Sequence, residues 1–200
     1  MLTKSENTIA NIMASAATLF TAKNYADVTM GQIALASQVT KGAVYHHFAS
    51  KEELYLELIH TDLARKKELF ERAIASGGTC RDRLGRLTRA FFELSKTERD
   101  LIKLVRRDNH TFDETARAEL VRAYQSSLPE LIERVIRQGI DSGQLAPADP
   151  RLLSWHFVAL VEVTLSDYAS RFFNDTDMKL AFVLDQFFAG AAGAPQGDSE

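Results

Sequence analysis

Apolar residues recur at intervals of three and four positions along most of this chain, which is the spacing of one buried face of an α-helix. Hydroxyl residues stand as candidate caps where several of these runs begin, at Thr3, Thr29, Thr40 and Ser50. Thr3 and Ser50 have a glutamate three positions later and Thr29 has a glutamine, as in a capping box. The pattern predicts nine helices, over about residues 4–24, 29–36, 40–48, 51–74, 81–96, 98–108, 113–142, 150–172 and 176–191. The seventh is predicted either to run straight or to bend before Pro129. Since no segment has a convincing strand pattern, the predicted fold class is all-α.

The second and third predicted helices are short and are separated only by the turn at 37–39. Ala34 is small, as is needed where two helices cross closely, and Ile33 and Val44 supply apolar contacts between them. Two short helices joined by a turn of three or four residues form a helix-turn-helix motif. In that motif the second helix lies in the major groove of DNA with its first residues at the base edges. The sequence therefore predicts a three-helix DNA-binding head.

The start of the third helix carries groups that suit contact with DNA. Thr40 and Lys41 can donate hydrogen bonds to phosphate, as can the free N–H groups of a helix start. Gly42 and Ala43 are short enough to let the backbone approach the duplex. Side chains further along that can reach a phosphate or a base edge are those of Tyr45, His46 and, at the next helix start, Lys51.

Net charge is unevenly distributed between the head and the rest of the chain. The whole sequence has a net charge of −3, but residues 1–51 carry four lysines against two carboxylates. The head is therefore +2 and the remainder −5. A basic head on an acidic body permits the head to bind phosphate while the body avoids DNA.

Over about residues 6–60 the chain resembles the tetracycline-repressor (TetR) family of bacterial transcriptional regulators. The residues that carry the resemblance are Ile33-Ala34, Val39-Thr40-Lys41-Gly42-Ala43-Val44-Tyr45-His46-His47-Phe48 and Ser50-Lys51-Glu52-Glu53-Leu54, preceded by Ala17, Leu19, Phe20 and the segment Tyr25 to Thr29. Two departures lie in the turn, where Gln38 replaces the usual glycine and Ser37 a common alanine. A residue other than glycine in a left-handed turn costs about 1 kcal/mol.

The resemblance implies a homodimer that binds a near-palindromic operator, usually as a repressor, and leaves it when a small molecule fills a pocket in the body. The positions that match the family's DNA contacts are Thr29, Thr40, Lys41, Gly42, Ala43, Tyr45, His47 and Lys51, to which we add His46 from its place on the same helix. Both histidines have an alternative role in packing or solvent exposure, for His47 beside Phe48.

Two domains of different role and a tail are predicted. Residues 1–50 form the helix-turn-helix DNA-binding domain, 51–192 a helical domain for ligand binding and dimerisation, and 193–200 a flexible tail. The resemblance further implies that the dimer forms through the last two long helices, where Phe187 and Phe188 suit a partner surface.

Five residues of the body are candidates for ligand binding. The predicted pocket lining is Phe91, Tyr124 and Trp155, with Glu162 as a polar anchor and Arg106 as an anion-binding group at the mouth. Glu162 has the alternative role of an exposed or ion-paired residue. Arg106 has the alternative role of a cation favoured by the dipole at a helix end. An apolar, aromatic or acyl ligand would suit this lining.

Composition and missing motifs exclude several other classes. Hydrophobic residues at 46% and charged residues at 26% are typical of a globular chain and argue against disorder. No apolar run has the roughly 20 residues of a membrane helix, and no signal core begins the chain, so a cytoplasmic protein is expected. One cysteine, Cys80, excludes a CxxC motif, and we predict no metal or cofactor.

Two rival functions remain open at this point. A constitutive dimeric DNA-binding protein without a ligand would have the same sequence features, because a well-packed body and a pocket-bearing one have similar compositions. An enzyme is a remote third interpretation, since GxSxG, HExxH, P-loop and GxGxxG motifs are all missing. Its candidate nucleophile would be Cys80, given a nearby histidine. We predict that the protein is not an enzyme.

Overall fold

A computed structural model describes residues 3–191 of the chain. The α-helices of this part are α1 (Lys4–Ala22), α2 (Met30–Ala36), α3 (Lys41–His47), α4 (Lys51–Ala75), α5 (Cys80–Glu93), α6 (Lys96–Asp108), α7 (Glu114–Ser127), α8 (Pro129–Asp141), α9 (Pro150–Thr164) and α10 (Thr176–Ala191). Short 3₁₀ turns lie at Tyr25–Asp27, Asn109–Thr111 and Ala169–Arg171. The described residues contain no strand, and the all-α class is confirmed. None of their helices is both long enough and apolar enough to cross a membrane.

The predicted caps account for where the early helices begin. Thr3 and Thr29 each accept a hydrogen bond from the backbone N–H three residues on, in complete capping boxes, and Thr40 accepts one from Ala43. The start of α4 differs in one detail from the predicted box. Ser50 Oγ accepts from the Glu53 N–H, but the Glu53 carboxylate reaches back to the N–H of Ala49, one residue before the cap.

The predicted helix at 113–142 is two helices, which is why ten are observed where nine were expected among the described residues. Proline lacks an N–H and disfavours helical geometry in the residue before it. Leu128 accordingly leaves the helix, with φ −141°, and Pro129 takes the first position of α8, where its missing donor does no harm. The predicted helix at 150–172 is also shorter, because α9 ends at Thr164.

The described chain forms two compact units. The first contains the residues up to Arg65 together with Ser95–Tyr124, and the second contains Lys66–Leu94 together with the residues from Gln125 onward. The boundary at residue 50 separates predicted roles rather than compact units, so it stays a prediction. Residues 192–200, including the predicted flexible tail, lie outside the described residues.

The second unit is built from α5, α8, α9 and α10 around one apolar core. Helices α5 and α8 approach so closely that a Cβ on Gly139 would lie 2.8 Å from Cys80 Sγ. Phe187 is fully buried here, with its ring 5.0 Å from that of Phe157, and Phe188 is partly buried. The expectation that Phe187 faces a partner is therefore wrong, because this ring fills the core of its own chain.

Candidate nucleic-acid interface

The turn between α2 and α3 forms despite its unusual sequence. Gln38 has φ 57°, the left-handed conformation that favours glycine. Ser37 is buried, its Oγ donates to the carbonyl of Ile33 at 2.7 Å, and its own carbonyl accepts from Asn11 Nδ2 at 2.7 Å. The N–H of Val39 donates to the carbonyl of Ala34 at 3.0 Å. These bonds stabilise the turn against the strain at Gln38.

Packing beneath α3 determines which of its faces is presented to solvent. Ile33 and Ala34 of α2 and Val44 of α3 are buried, as predicted. Lys41, Gly42 and Tyr45 are exposed, and Lys41 and Tyr45 share one helix face because they are four positions apart. The first turn of α3 is therefore open along one side.

The exposed residues of α3 have few contacts within the chain. Tyr45 is 46% exposed, and its ring lies 5.7 Å from the ammonium group of Lys41. Thr40 uses its hydroxyl as acceptor for the Ala43 N–H, so the hydroxyl hydrogen remains for an outside acceptor. Thr29 holds the equivalent position before α2 and is also exposed.

Gly42 is not required by the packing of the chain itself. A Cβ at this position would meet only Thr40 Oγ1, at 3.8 Å, which is ordinary van der Waals contact. Its φ lies outside the left-handed region, so the backbone would accept any residue. A glycine in a helix costs about 0.5–1 kcal/mol relative to alanine. The small size of Gly42 therefore suits close approach by another molecule.

The two histidines at the end of α3 have different environments. His46 is exposed, while His47 is half-buried beside Phe48, and the two rings are 5.1 Å apart. The predicted alternative of packing beside Phe48 suits His47 better than His46. The DNA contacts of both stay predictions.

Lys51 has a defined intramolecular contact. Its Nζ donates to the carbonyl oxygen of Tyr25 at 2.9 Å and lies 4.2 Å from the centre of the Tyr25 ring. An ammonium group has three donors, so this contact leaves two for a phosphate. Lys51 thus fastens the loop after α1 to the start of α4, and the phosphate contact expected of it stays a prediction.

A polar cluster, which we name the α6 clamp, consists of Arg107 and Asp108 of α6 and Tyr55 of α4. Arg107 donates from Nη2 to the carbonyls of Phe20 and Lys23, at 2.8 and 2.9 Å. These carbonyls lie at the end of α1, where the backbone has no helical partner of its own. Arg107 also forms a two-pronged contact with Asp108, which is buried and accepts from Tyr55 Oη at 3.0 Å.

Sequence reasoning missed the α6 clamp. The basic residues at the end of α6 fit a favourable helix dipole, which conceals any more specific role. The carbonyl partners of Arg107 are 84 and 87 positions away in the sequence, so no local sequence pattern predicts these contacts.

An aromatic cluster lies beside the α6 clamp. The ring of Tyr55 is 4.9 Å from that of Phe20, 5.1 Å from that of Tyr25 and 5.2 Å from that of Phe112. Burial raises the pKa of Tyr55, and the neighbouring Asp108 carboxylate raises it further. The phenol therefore stays protonated and donates to Asp108. Together the clamp and the cluster hold α1, α4 and α6 in one frame beneath the helix-turn-helix.

The five predicted ligand-binding residues are distributed over both units. Arg106 and Tyr124 lie in the first, and Phe91, Trp155 and Glu162 lie in the second. Phe91 packs against the core of the second unit, 6.3 Å from the ring of Phe70. Trp155 and Glu162 are exposed on α9, and Arg106 is exposed on α6. Their role in ligand binding stays a prediction.

Cys80 is poorly suited to nucleophilic chemistry. It is buried, and burial raises the pKa of its thiol to about 11, so almost no thiolate forms near neutral pH. The described residues also contain no cluster of three or more histidine, cysteine or carboxylate groups that could hold a metal ion.

Two family models match the chain. Residues 12–58 match the model of bacterial regulatory proteins of the tetR family, and residues 77–166 match the C-terminal domain of tetracyclin repressor-like proteins. The first match contains all of α2 and α3, and the second lies in the helical remainder.

Relatives and solved structures agree with these models. The HTH-type transcriptional regulator YhgD of Bacillus subtilis is 29% identical over 157 residues, which cover 78% of this chain and 82% of that protein. A tetR-family regulatory protein from Rhodococcus RHA1 has the same fold, with a TM-score of 0.79, 20% identity and coverage of 96% of this chain and 100% of that one. FadR from Bacillus subtilis, solved in complex with stearoyl-CoA, has a TM-score of 0.69 at 18% identity, covering 90% and 98%.

Proposed function

The chain belongs to the tetR family of bacterial regulatory proteins, and from that premise we propose that it represses transcription from a palindromic operator until a small ligand releases it. As a member of that family it is a DNA-binding transcriptional regulator. The finer steps, which are the operator contacts, the dimer and the ligand, are parts of the proposal. Acting on operator DNA would place the protein in the cytoplasm.

The observation that carries the proposal is the open first turn of α3. The residues Lys41, Gly42 and Tyr45 are exposed to solvent there and make few contacts within the chain. Such a turn can enter the major groove of DNA, where a phenol or an ammonium group reaches base edges and phosphates. We propose the full contact set as Thr29, Thr40, Lys41, Gly42, Ala43, Tyr45, His46, His47 and Lys51.

We propose that the protein is a homodimer formed through α9 and α10. Leu152, Trp155 and Val163 are 61%, 55% and 58% exposed, and their spacing places them along one side of α9. An apolar stripe of this kind is costly in water and is typical of a surface that a partner covers. A two-fold dimer would present two copies of α3 to the two halves of a palindrome.

The proposed ligand has an apolar or acyl part. FadR, which has the same fold, was solved with stearoyl-CoA. The candidate residues remain Phe91, Arg106, Tyr124, Trp155 and Glu162, with Arg106 suited to an anionic group of an acyl thioester. For Trp155 the exposed stripe on α9 offers a competing role in the dimer. A ligand releases DNA only if it binds the non-binding conformation more tightly.

Selection of binding sites from random DNA duplexes at near-physiological salt tests the operator. Recovery of a palindrome whose half-sites lie about one helical turn apart, or a multiple of that, would support the proposal. Folded dimeric protein that enriches no sequence, before and after refolding from denaturant to remove a bound inducer, would contradict it.

The recovered operator then tests the ligand. Stearoyl-CoA is expected to raise the melting temperature and weaken operator binding, since a ligand of the native state stabilises it, while free coenzyme A should do neither. If acyl thioesters and an apolar metabolite panel all leave both quantities unchanged, the protein is the constitutive DNA-binding dimer instead.

A further inference from the structure

A groove of about 590 Å³ crosses the surface of the first unit on the side of α1. Helix α1 forms one wall, helix α4 forms the other, and Phe48 at the end of α3 lies between them. Its apolar lining includes Ile9 and Met13, both half-buried. This groove contains none of the five predicted ligand residues and shares only His47 with the proposed DNA contacts.

Three carboxylates line the same groove. Glu6 stands on α1, and Glu53 and Glu57 stand on α4, one turn apart on the same face. Like charges at this spacing repel each other by a few tenths of a kcal/mol. The groove therefore combines an apolar floor with a concentration of negative charge.

Among the described residues, no ion pair is found for any of these three carboxylates. Elsewhere on α4 the arginines do form ion pairs, as Arg65 does with Glu98 at 2.6 Å. The contacts of the three groove carboxylates are with neutral donors. Glu6 accepts from the Thr3 N–H, Glu53 from the Ala49 N–H and Glu57 from the Thr61 hydroxyl.

We propose that this groove binds a small amphipathic organic cation. Its apolar part would lie against Ile9, Met13 and Phe48, and its ammonium or guanidinium group would lie among Glu6, Glu53 and Glu57. Burial of the ligand's apolar part would favour binding without specifying its orientation. The carboxylates would favour a positively charged ligand over a neutral or negatively charged one.

Methionine methyl groups provide a direct test on the full-length protein. The chain has four methionines, of which Met13 lines the groove, Met30 is buried in α2 and Met178 lies on α10. Titration of ¹³C-methyl-methionine protein with n-octyltrimethylammonium should move the Met13 signal in a saturable way. The signals of Met30 and Met178 should stay in place. Neutral octanol and anionic octyl sulfate should bind more weakly than the cation.

Two matched variants test the role of the carboxylates. Glu57→Gln removes a groove charge and should weaken binding of the octyl cation about two- to fivefold, an effect that added salt reduces. Glu52→Gln removes the same charge from the same end of α4 but outside the groove lining, and should change binding less.

Three results would each overturn the proposal. The first is a Met13 signal that does not respond to the cation. The second is an equal response to octanol or octyl sulfate, which would indicate an apolar groove without charge preference. The third is equal weakening by Glu57→Gln and Glu52→Gln, which would indicate general attraction to an acidic surface.

Discussion

The first turn of α3 and the α6 clamp both belong to the first unit, but they use their polar groups in opposite ways. In the clamp, Arg107, Asp108 and Tyr55 make hydrogen bonds with one another or with the end of α1. In the turn, Gly42 meets almost nothing and Tyr45 is half exposed. Groups with internal partners stabilise the frame, and groups without them are available to a ligand outside.

This difference predicts that substitutions in the two regions affect stability and operator affinity differently. Changes in the α6 clamp should alter the free energy of unfolding and operator affinity together, because α1 and α4 lose their common support. Changes in the first turn of α3 should alter operator affinity while leaving stability constant or even raising it.

Arg107→Ala should cause the largest loss. It leaves the buried carboxylate of Asp108 without its charge partner and the end of α1 without a donor, so we expect a loss of about 3 kcal/mol in unfolding free energy. Urea denaturation measures it, with Arg106→Ala as the neighbouring surface control. A variant as stable as the wild type would show that the clamp does not support the frame.

Tyr45→Ala should weaken operator binding about tenfold with little change in melting temperature. The ring is 46% exposed and would supply contacts to base edges or phosphate. Fluorescence anisotropy on the operator and on random duplex measures the discrimination between them. Tyr168→Ala, an exposed tyrosine of the second unit, is the control. Equal losses on both DNAs would remove Tyr45 from the residues that read sequence.

Gly42→Ala should move stability and affinity in opposite directions. The methyl group fits within the chain, so helix propensity should raise the unfolding free energy by about 0.5–1 kcal/mol. Operator affinity should fall because the backbone can no longer approach the duplex as closely. Gly31→Ala gives the stability reference, since a Cβ there also meets only a threonine Oγ1 at 3.8 Å. Unchanged operator affinity would contradict close approach at Gly42.

Glu98, near the start of α6, should contribute a small pH-dependent stability. Burial favours its protonated form, but hydrogen bonds from Ser95 and Arg65 outweigh this and hold the pKa of Glu98 at about 2. A carboxyl with a lowered pKa stabilises the fold above its ordinary value of 4.5 and loses that contribution as the pH falls toward 2.

Denaturation of wild type and Glu98→Gln across this pH range measures the contribution. The difference between them should be constant above pH 4.5 and shrink below it. Glu68→Gln, in a mostly exposed pair with Arg72, is the control for surface charge. A difference that does not change with pH would mean that the internal contacts of Glu98 do not stabilise the fold.

The sequence by itself determined the features that depend on neighbours within about four residues. The helical periodicity, the caps at Thr3, Thr29 and Thr40, and the short helices of the motif all have this origin. A helix cap is a contact between residues two or three positions apart, and a helix face repeats every three or four. Patterns of this range can be recognised in the sequence alone, and so can the family resemblance that they carry.

Only the tertiary structure decided which polar groups form hydrogen bonds with distant residues of the same chain. The contact of Lys51 with Tyr25 spans 26 positions, and Arg107 reaches carbonyls 84 and 87 positions away. The sequence predicted that Phe187 would face a partner subunit, but the helices of its own chain bury it. Such contacts depend on how helices pack, and packing brings together residues whose separation in the sequence carries no signal.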